Sequence, residues 1–137
     1  MADRTWKLYT DGACRGNPGY GGAGAVLIDE EGNTVATARK FLGLCTNNIA
    51  EYGALILGLE EALNSNCRRL HIFLDSELLV KQITGTYRVR KSHLKVPMNH
   101  IRKLLSSLDS YTVEHIDRGQ NRIADRLANE AIDAEIL

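Results

Sequence analysis

The sequence predicts an α/β fold, a mixed five-stranded sheet flanked by helices, in a single domain spanning residues 1–137. Three observations carry that expectation. The length suits one domain built around one core. The first third alternates β-formers with Gly and Asn turn signals, the pattern of an antiparallel meander. From Thr46 onward helical spacing alternates with short apolar runs, which calls for parallel pairing with helices on the sheet faces. The order is β-β-β-α-β-α-α-β-α.

Trp6–Thr10 is short and rich in β-formers, and it runs into Asp11-Gly12 and a Gly-rich loop around Gly16-Asn17-Pro18-Gly19. Gly22–Ile28 is small and apolar, a second strand. Asp29–Asn33 is a turn in which Gly32 and Asn33 supply positive φ, and Thr34–Leu44 returns as the third strand. Thr46 or Asn47 can cap the first helix, whose apolar positions Tyr52, Leu55, Ile56, Leu59, Ala62 and Leu63 repeat at helical spacing. Asn64-Ser65-Asn66 ends it, and Arg69–Leu74 is a fourth strand ending at Asp75. Ser76 caps a short helix through Ile83, stopped by Gly85. Pro97 is expected in the first turn of the next helix, with Ile101, Leu104, Leu105 and Leu108 on its apolar face. Tyr111–Ile116 is the fifth strand, and Asn121 opens the last helix.

Apolar runs are short and broken by charge, far from the ~20 residues of a membrane span, and no apolar leader follows Met1. A cytoplasmic, soluble protein is expected, and a monomer, since no exposed apolar stripe is evident. Cys14, Cys45 and Cys67 are odd in number, scattered and without zinc spacing. The formal net charge is +0, so no overall field attracts nucleic acid. The distribution is uneven. Leu78–Leu108 holds seven Lys or Arg and no Asp or Glu, against ten basic and seventeen acidic residues elsewhere. Such a segment is either a solvated face or a phosphate-binding surface. The Gly22-Ala23-Gly24 run precedes a strand and lacks a final Gly, and no Gly-Lys-Ser/Thr occurs, so nucleotide-binding loops are excluded.

Four acids stand out by position. Asp11 and Asp75 end strands one and four, which can be neighbours, and functional clefts lie at such strand ends. Glu51 and Asp125 lie in the early turns of the first and last helices and can approach the same edge. Clustered carboxylates repel unless a cation or proton compensates. Carboxylate oxygens without His or Cys partners suit Mg²⁺ or Mn²⁺. Two such ions about 3.5–4 Å apart can drive phosphodiester cleavage. Taken singly, each acid is equally an ordinary surface charge or helix-cap aid.

Together with their neighbours the acids resemble a known family. Tyr9-Thr10-Asp11-Gly12-Ala13-Cys14-Arg15-Gly16-Asn17-Pro18-Gly19, Thr46-Asn47-Asn48-Ile49-Ala50-Glu51, Leu74-Asp75-Ser76 and Arg118-Gly119-Gln120-Asn121-Arg122-Ile123-Ala124-Asp125 resemble, in order and spacing, the four motifs of type 1 ribonuclease H. The resemblance runs from Trp6 to Ile132. It implies the ribonuclease H-like sheet, strand order 3-2-1-4-5 with strand two antiparallel to its neighbours. It implies hydrolysis of the RNA strand of an RNA/DNA hybrid by two-metal catalysis, leaving 5′-phosphate and 3′-hydroxyl ends. Asp11, Glu51, Asp75 and Asp125 become the metal-binding catalytic acids, with Mg²⁺ or Mn²⁺ as the ion. Cys14, Gly16, Asn17, Asn47 and Asn48 become contacts to the RNA strand. Thr46 becomes a holder of a DNA phosphate, and Ser76, beside Asp75, joins the substrate-binding set. Close approach to the 2′-hydroxyl, the group that separates RNA from DNA, gives the small residues a purpose.

The chain departs from the family in two places. The long basic protrusion of many members is here the short segment from Gly85 to Lys95, so hybrid binding is expected to rest on Arg88, Arg90, Lys91 and Lys95 and to be salt-sensitive. Tyr87 is the one candidate for an aromatic of the DNA-backbone groove. The loop before the last helix has no His; Arg118 stands there and, always protonated, can pair with phosphate but not shuttle protons. Two other readings stand beside this one: a non-catalytic nucleic-acid-binding domain of the same fold, and another nuclease of the superfold. Double-stranded RNA is a second substrate to test.

Overall fold

The computed structural model describes residues 4–136. The elements are β1 (Trp6–Gly16), β2 (Gly19–Ile28), β3 (Thr34–Cys45), α1 (Asn47–Asn64), β4 (Arg69–Leu74), α2 (Glu77–Ile83), α3 (Ser92–Ser106), β5 (Ser110–His115), a 3₁₀ turn (Arg118–Gln120) and α4 (Arg122–Ile136). One sheet runs in the order β3-β2-β1-β4-β5. β2 is antiparallel to β1 and β3, while β1–β4 and β4–β5 are parallel. This is the order that the family resemblance implies.

The principal departure is the Gly-rich stretch. The loop is there but is only the two-residue turn Asn17-Pro18: β1 continues through Asp11 to Gly16, and β2 begins at Gly19, not Gly22. Asp11 therefore lies mid-strand, paired with Gly24. Local propensity reads Gly and Pro as breakers, but pairing with β2 supplies the ladder that the composition does not advertise. The reversal is held at Gly16, whose φ of +103° suits a residue without Cβ.

α4 lies across the same strand. A Cβ at Gly24 would collide with the Ala124 carbonyl, and one at Gly22 with that of Ala128. These glycines are thus packing residues that let a helix backbone sit directly on the sheet. On the other face, Leu55 and Leu59 of α1 join Leu8, Leu27, Ile72 and Leu74 of the sheet and Ile101 of α3 in one buried cluster. The Tyr52 hydroxyl inside that cluster donates to Gln82 Oε1, so the polar group that α1 buries there is paired and ties α1 to α2.

Pro97 is the second departure. α3 starts at Ser92, which places Pro97 inside the helix and beyond its first turn. The apolar stripe Leu94, Met98, Ile101 and Leu105 is buried, and that burial holds a helix that proline alone would end at its N-terminal side. Residues 84–91 alone separate α2 from α3, so the basic connection is as short as the sequence implies.

Candidate active site

The parallel ladder between β1 and β4 ends at the pair Thr10–Leu74. The next residue on each strand is an acid, Asp11 and Asp75. Adjacent parallel strands thus deliver both carboxylates to one edge without any loop. Thr46 starts α1 there: its Oγ1 accepts from the Ile49 N–H at 3.3 Å. Glu51 follows one turn later and faces the strand ends. Carboxylate oxygens of Asp11, Glu51 and Asp75 all lie within 4.8 Å of one another. Asp125, in the first turn of α4, hydrogen-bonds the Asp11 carboxyl. All four acids singled out in the sequence therefore meet.

The electrostatics are those of crowded negative charge. Asp11 is 3% exposed. Burial, then the charges of Glu51 and Asp75, push its pKa up to about 10. Glu51 is raised to about 8, first by burial and then by Asp75, against the lowering pull of Asp11, the Gly12 N–H and the Arg118 guanidinium. Glu51 Oε2 is buried with no partner. An orphaned carboxylate oxygen beside two further carboxylates, with no His or Cys in the group, fits a hard divalent cation.

The remaining residues divide. Asn17 Oδ1 accepts the Asn47 N–H at 3.1 Å, joining the hairpin tip to the start of α1. With their chain neighbours Gly16, Thr46 and Asn48 these form one rim at the start of α1. The Cys14 thiol turns to carbonyls, donating to Gly16 O at 2.7 Å and Cys45 O at 3.2 Å. Ser76 caps α2 through Leu79 N–H at 3.2 Å, so its hydroxyl has a local task. Arg118 opens the 3₁₀ turn before α4, which the Asp117–Gln120 capping box staples, and its charge reaches Glu51. Arg88, Arg90 and Lys91 are exposed along the α2–α3 connection and Lys95 in the first turn of α3, where Tyr87, Arg88, Lys95 and Arg102 line a depression of about 380 Å³. Two cations of the basic segment are engaged internally: Lys81 bonds Glu77 at 2.9 Å and sits over the Tyr87 ring, and Arg102 donates to the Gln82 carbonyl.

Two asparagines of the site have no counterpart among the residues that the sequence singles out. Asn121 is expected only to open the last helix. It stands at that position, yet its Nδ2 donates to Thr10 O at 2.8 Å and to Asp75 Oδ2 at 3.1 Å. Asn129 Nδ2 donates to Asp125 O at 3.0 Å and Oδ1 at 3.4 Å. Its spacing of four from Asp125 is the available signal.

A mixed sheet in this order, with acids gathered where the β1–β4 ladder ends, defines the ribonuclease H-like fold. A family profile described as "Reverse transcriptase-like" matches residues 9–131. The chain is 41% identical over 125 residues to ribonuclease HI of Halobacterium salinarum, covering 91% of this chain and 63% of that protein. The crystal structure of RNase H1 from the same archaeon superposes with a TM-score of 0.92 at 39% identity, covering 95% of this chain and 98% of that one. Ribonuclease H of Chlorobaculum parvum is 35% identical over 145 residues, covering 95% and 97%. LC11-RNase H1, isolated from compost by a metagenomic approach and solved in complex with an RNA/DNA hybrid, gives a TM-score of 0.91 at 38% identity, covering 96% and 99%. The chain belongs to the type 1 ribonuclease H family. It spans less than two thirds of the first curated relatives it matches, 63% of the Halobacterium protein and 35% of a mycobacterial bifunctional protein.

Proposed function

We propose that the protein is a metal-dependent endonuclease that hydrolyses the RNA strand of RNA/DNA hybrids, leaving 5′-phosphate and 3′-hydroxyl ends. The observation that carries this reading is the Asp11–Glu51–Asp75 group, three carboxylates within 4.8 Å on a fold shared with a hybrid-bound relative. Asp11 with Asp125 would hold one divalent ion, and Asp11 with Glu51 and Asp75 a second. Bound ions supply an activated water and positive charge for the leaving oxygen. Mg²⁺ is the expected ion and Mn²⁺ a substitute, since both favour oxygen ligands.

The chain's own groups do the rest. The rim of Gly16, Asn17, Asn47 and Asn48, with the backbone at Cys14, offers short groups to the RNA sugar edge, where a 2′-hydroxyl is distinguished. Thr46 and Ser76 flank the acids and would meet the strand backbones. Arg118 pairs with a phosphate beside Glu51, and Arg88, Arg90 and Lys91 steer the duplex from the α2–α3 connection. Among the described residues no helix is long and apolar enough to cross a membrane, and we place the enzyme in the cytoplasm as a monomer of one domain. Asp75→Asn tests the reading: it preserves shape and removes one ion ligand. Loss of hybrid cleavage with retained hybrid binding is expected; cleavage at the parental rate would overturn the site assignment.

A further inference from the structure

Asn121 is 1% exposed, and its single side-chain amide reaches two elements of the site. One Nδ2 proton goes to Thr10 O, the carbonyl immediately before Asp11, and the other to Asp75 Oδ2. Its own backbone carbonyl accepts the Asp125 N–H at 3.1 Å. Three of the four acids are therefore indexed to one residue: Asp11 through the preceding carbonyl, Asp75 directly, and Asp125 through the first turn of α4.

The chemistry leaves one orientation for the amide. Turned over, Oδ1 would face two acceptors, Thr10 O and Asp75 Oδ2, so the Nδ2-inward arrangement is the only satisfied one. Oδ1 is left buried without a partner. It caps no helix N–H, although residue 121 stands where a cap belongs. A cap function would accept Ser or Asp equally well. Two donated bonds to acceptors on two different strands require a planar NH₂, which Asn has and Asp lacks.

We propose that Asn121 is a positioning residue that fixes the Asp75 carboxylate relative to β1 and so presets the spacing of the ion-binding acids. Oδ2 of Asp75 is anchored by Asn121, leaving Oδ1 for the ion. Removing the anchor frees the Asp75 side chain to swing away from Asp11 and Glu51, which it repels, and the ion must then pull it back. Outer partners of metal ligands typically change ion affinity by about 10–100-fold when lost. The inference rests on the proposed ion site but not on hybrid cleavage.

The test is Mn²⁺ binding by isothermal titration calorimetry to the whole protein without nucleic acid, for the parent, Asn121→Asp, Asn121→Ser and Asp75→Asn. Asn121→Asp keeps volume, loses both donors and adds charge; Asn121→Ser loses the NH₂ without adding charge, and both residue types are at home where a helix opens. Mn²⁺ affinity should fall about tenfold or more in Asn121→Ser, with circular dichroism and the melting temperature at saturating Mn²⁺ confirming a folded chain. In Asn121→Asp the added carboxylate opposes the loss by attracting the cation, so the Ser variant decides. If hybrid is cleaved, Asn121→Ser should also raise the ion concentration for half-maximal rate while leaving KM for hybrid unchanged. Parental Mn²⁺ affinity in a folded Asn121→Ser overturns the positioning role, as does a lower rate with an unshifted ion requirement. Failure of the parent to cleave hybrid while binding Mn²⁺ more tightly than Asp75→Asn and Asn121→Ser would overturn the proposed function and leave this inference standing. If Asn121→Ser does not fold, Asn121→Thr, likewise uncharged and without the NH₂, takes its place, and parental Mn²⁺ affinity in that folded variant would equally overturn the positioning role.

Discussion

Replacing Asp75 by asparagine should stabilise the ion-free protein, and do so more at high pH. Asp11 and Glu51 have ordinary values of 3.8 and 4.5 and folded values of about 10 and about 8. The folded state therefore holds protons that the unfolded chain has released. Stability falls as pH rises through that window, because here the native state binds the extra protons. At pH 9 Glu51 is ionised and faces Asp75. Unit charges at the 4.8 Å bound of the group repel by about 3.5 kcal/mol at an effective dielectric near 20. Asp75 is half-buried, and solvent screening reduces the recoverable part to about 1–2 kcal/mol. For a chain of this size that corresponds to a rise in Tm of roughly 3–7 °C in chelator at pH 9. At pH 6 Glu51 is protonated, and the same substitution should change stability by less than about 0.5 kcal/mol. The carboxamide oxygen introduced at position 75 can still accept from Asn121, so no hydrogen bond need be lost. Differential scanning calorimetry in chelator at both pH values is the assay. A destabilised variant at pH 9, or an equal shift at both, would refute mutual repulsion as the dominant feature of the ion-free site. Adding Mg²⁺ should stabilise the parent far more than Asp75→Asn.

Other outcomes follow from the same geometry. Arg118→Ala should lower turnover by about tenfold or more, as loss of a charge-assisted phosphate contact does, and raise the pH at which Glu51 titrates; Arg122→Ala should do neither, and equal small effects in steady-state kinetics would remove Arg118 from the site. Gly24→Ala drives a Cβ into the Ala124 carbonyl and should cost about 2–3 kcal/mol in denaturant unfolding, whereas Gly119→Ala, with nothing within 4 Å of its Cβ position, should cost little. Neutralising Arg88, Arg90 and Lys91 together should weaken hybrid binding and shallow its log–log salt slope by about 2–3; an unchanged slope would mean that the α2–α3 connection does not touch the backbone.

The acids are legible because each belongs to a run of neighbours with a family spacing, and because strand ends and helix starts are readable from periodicity. What periodicity does not show is where β1 stops. Gly12 and Gly16 carry loop signatures, and only pairing with β2 keeps that segment extended. Pro97 misleads for a related reason: burial of Leu94, Met98 and Ile101 extends α3 on the N-terminal side of a residue that would begin a free helix. In the sequence Asn121 reads as a helix opener, the commonest task of its type. Its two donors find Thr10 and Asp75 only after β1, β4 and α4 converge, over sequence separations of 111 and 46 residues that no local pattern spans.

Strand-selective hydrolysis is read from the cleavage of four end-labelled duplexes: RNA/DNA, RNA/RNA, DNA/DNA, and a DNA duplex with one ribonucleotide, each with Mg²⁺ or Mn²⁺ and with Asp75→Asn alongside. Internal cuts in the RNA of the hybrid, bearing 5′-phosphates and lost with chelator and in the variant, are the predicted result. Salt-dependent binding to the hybrid without cleavage in either ion would contradict hydrolysis and leave a binding domain on the same fold.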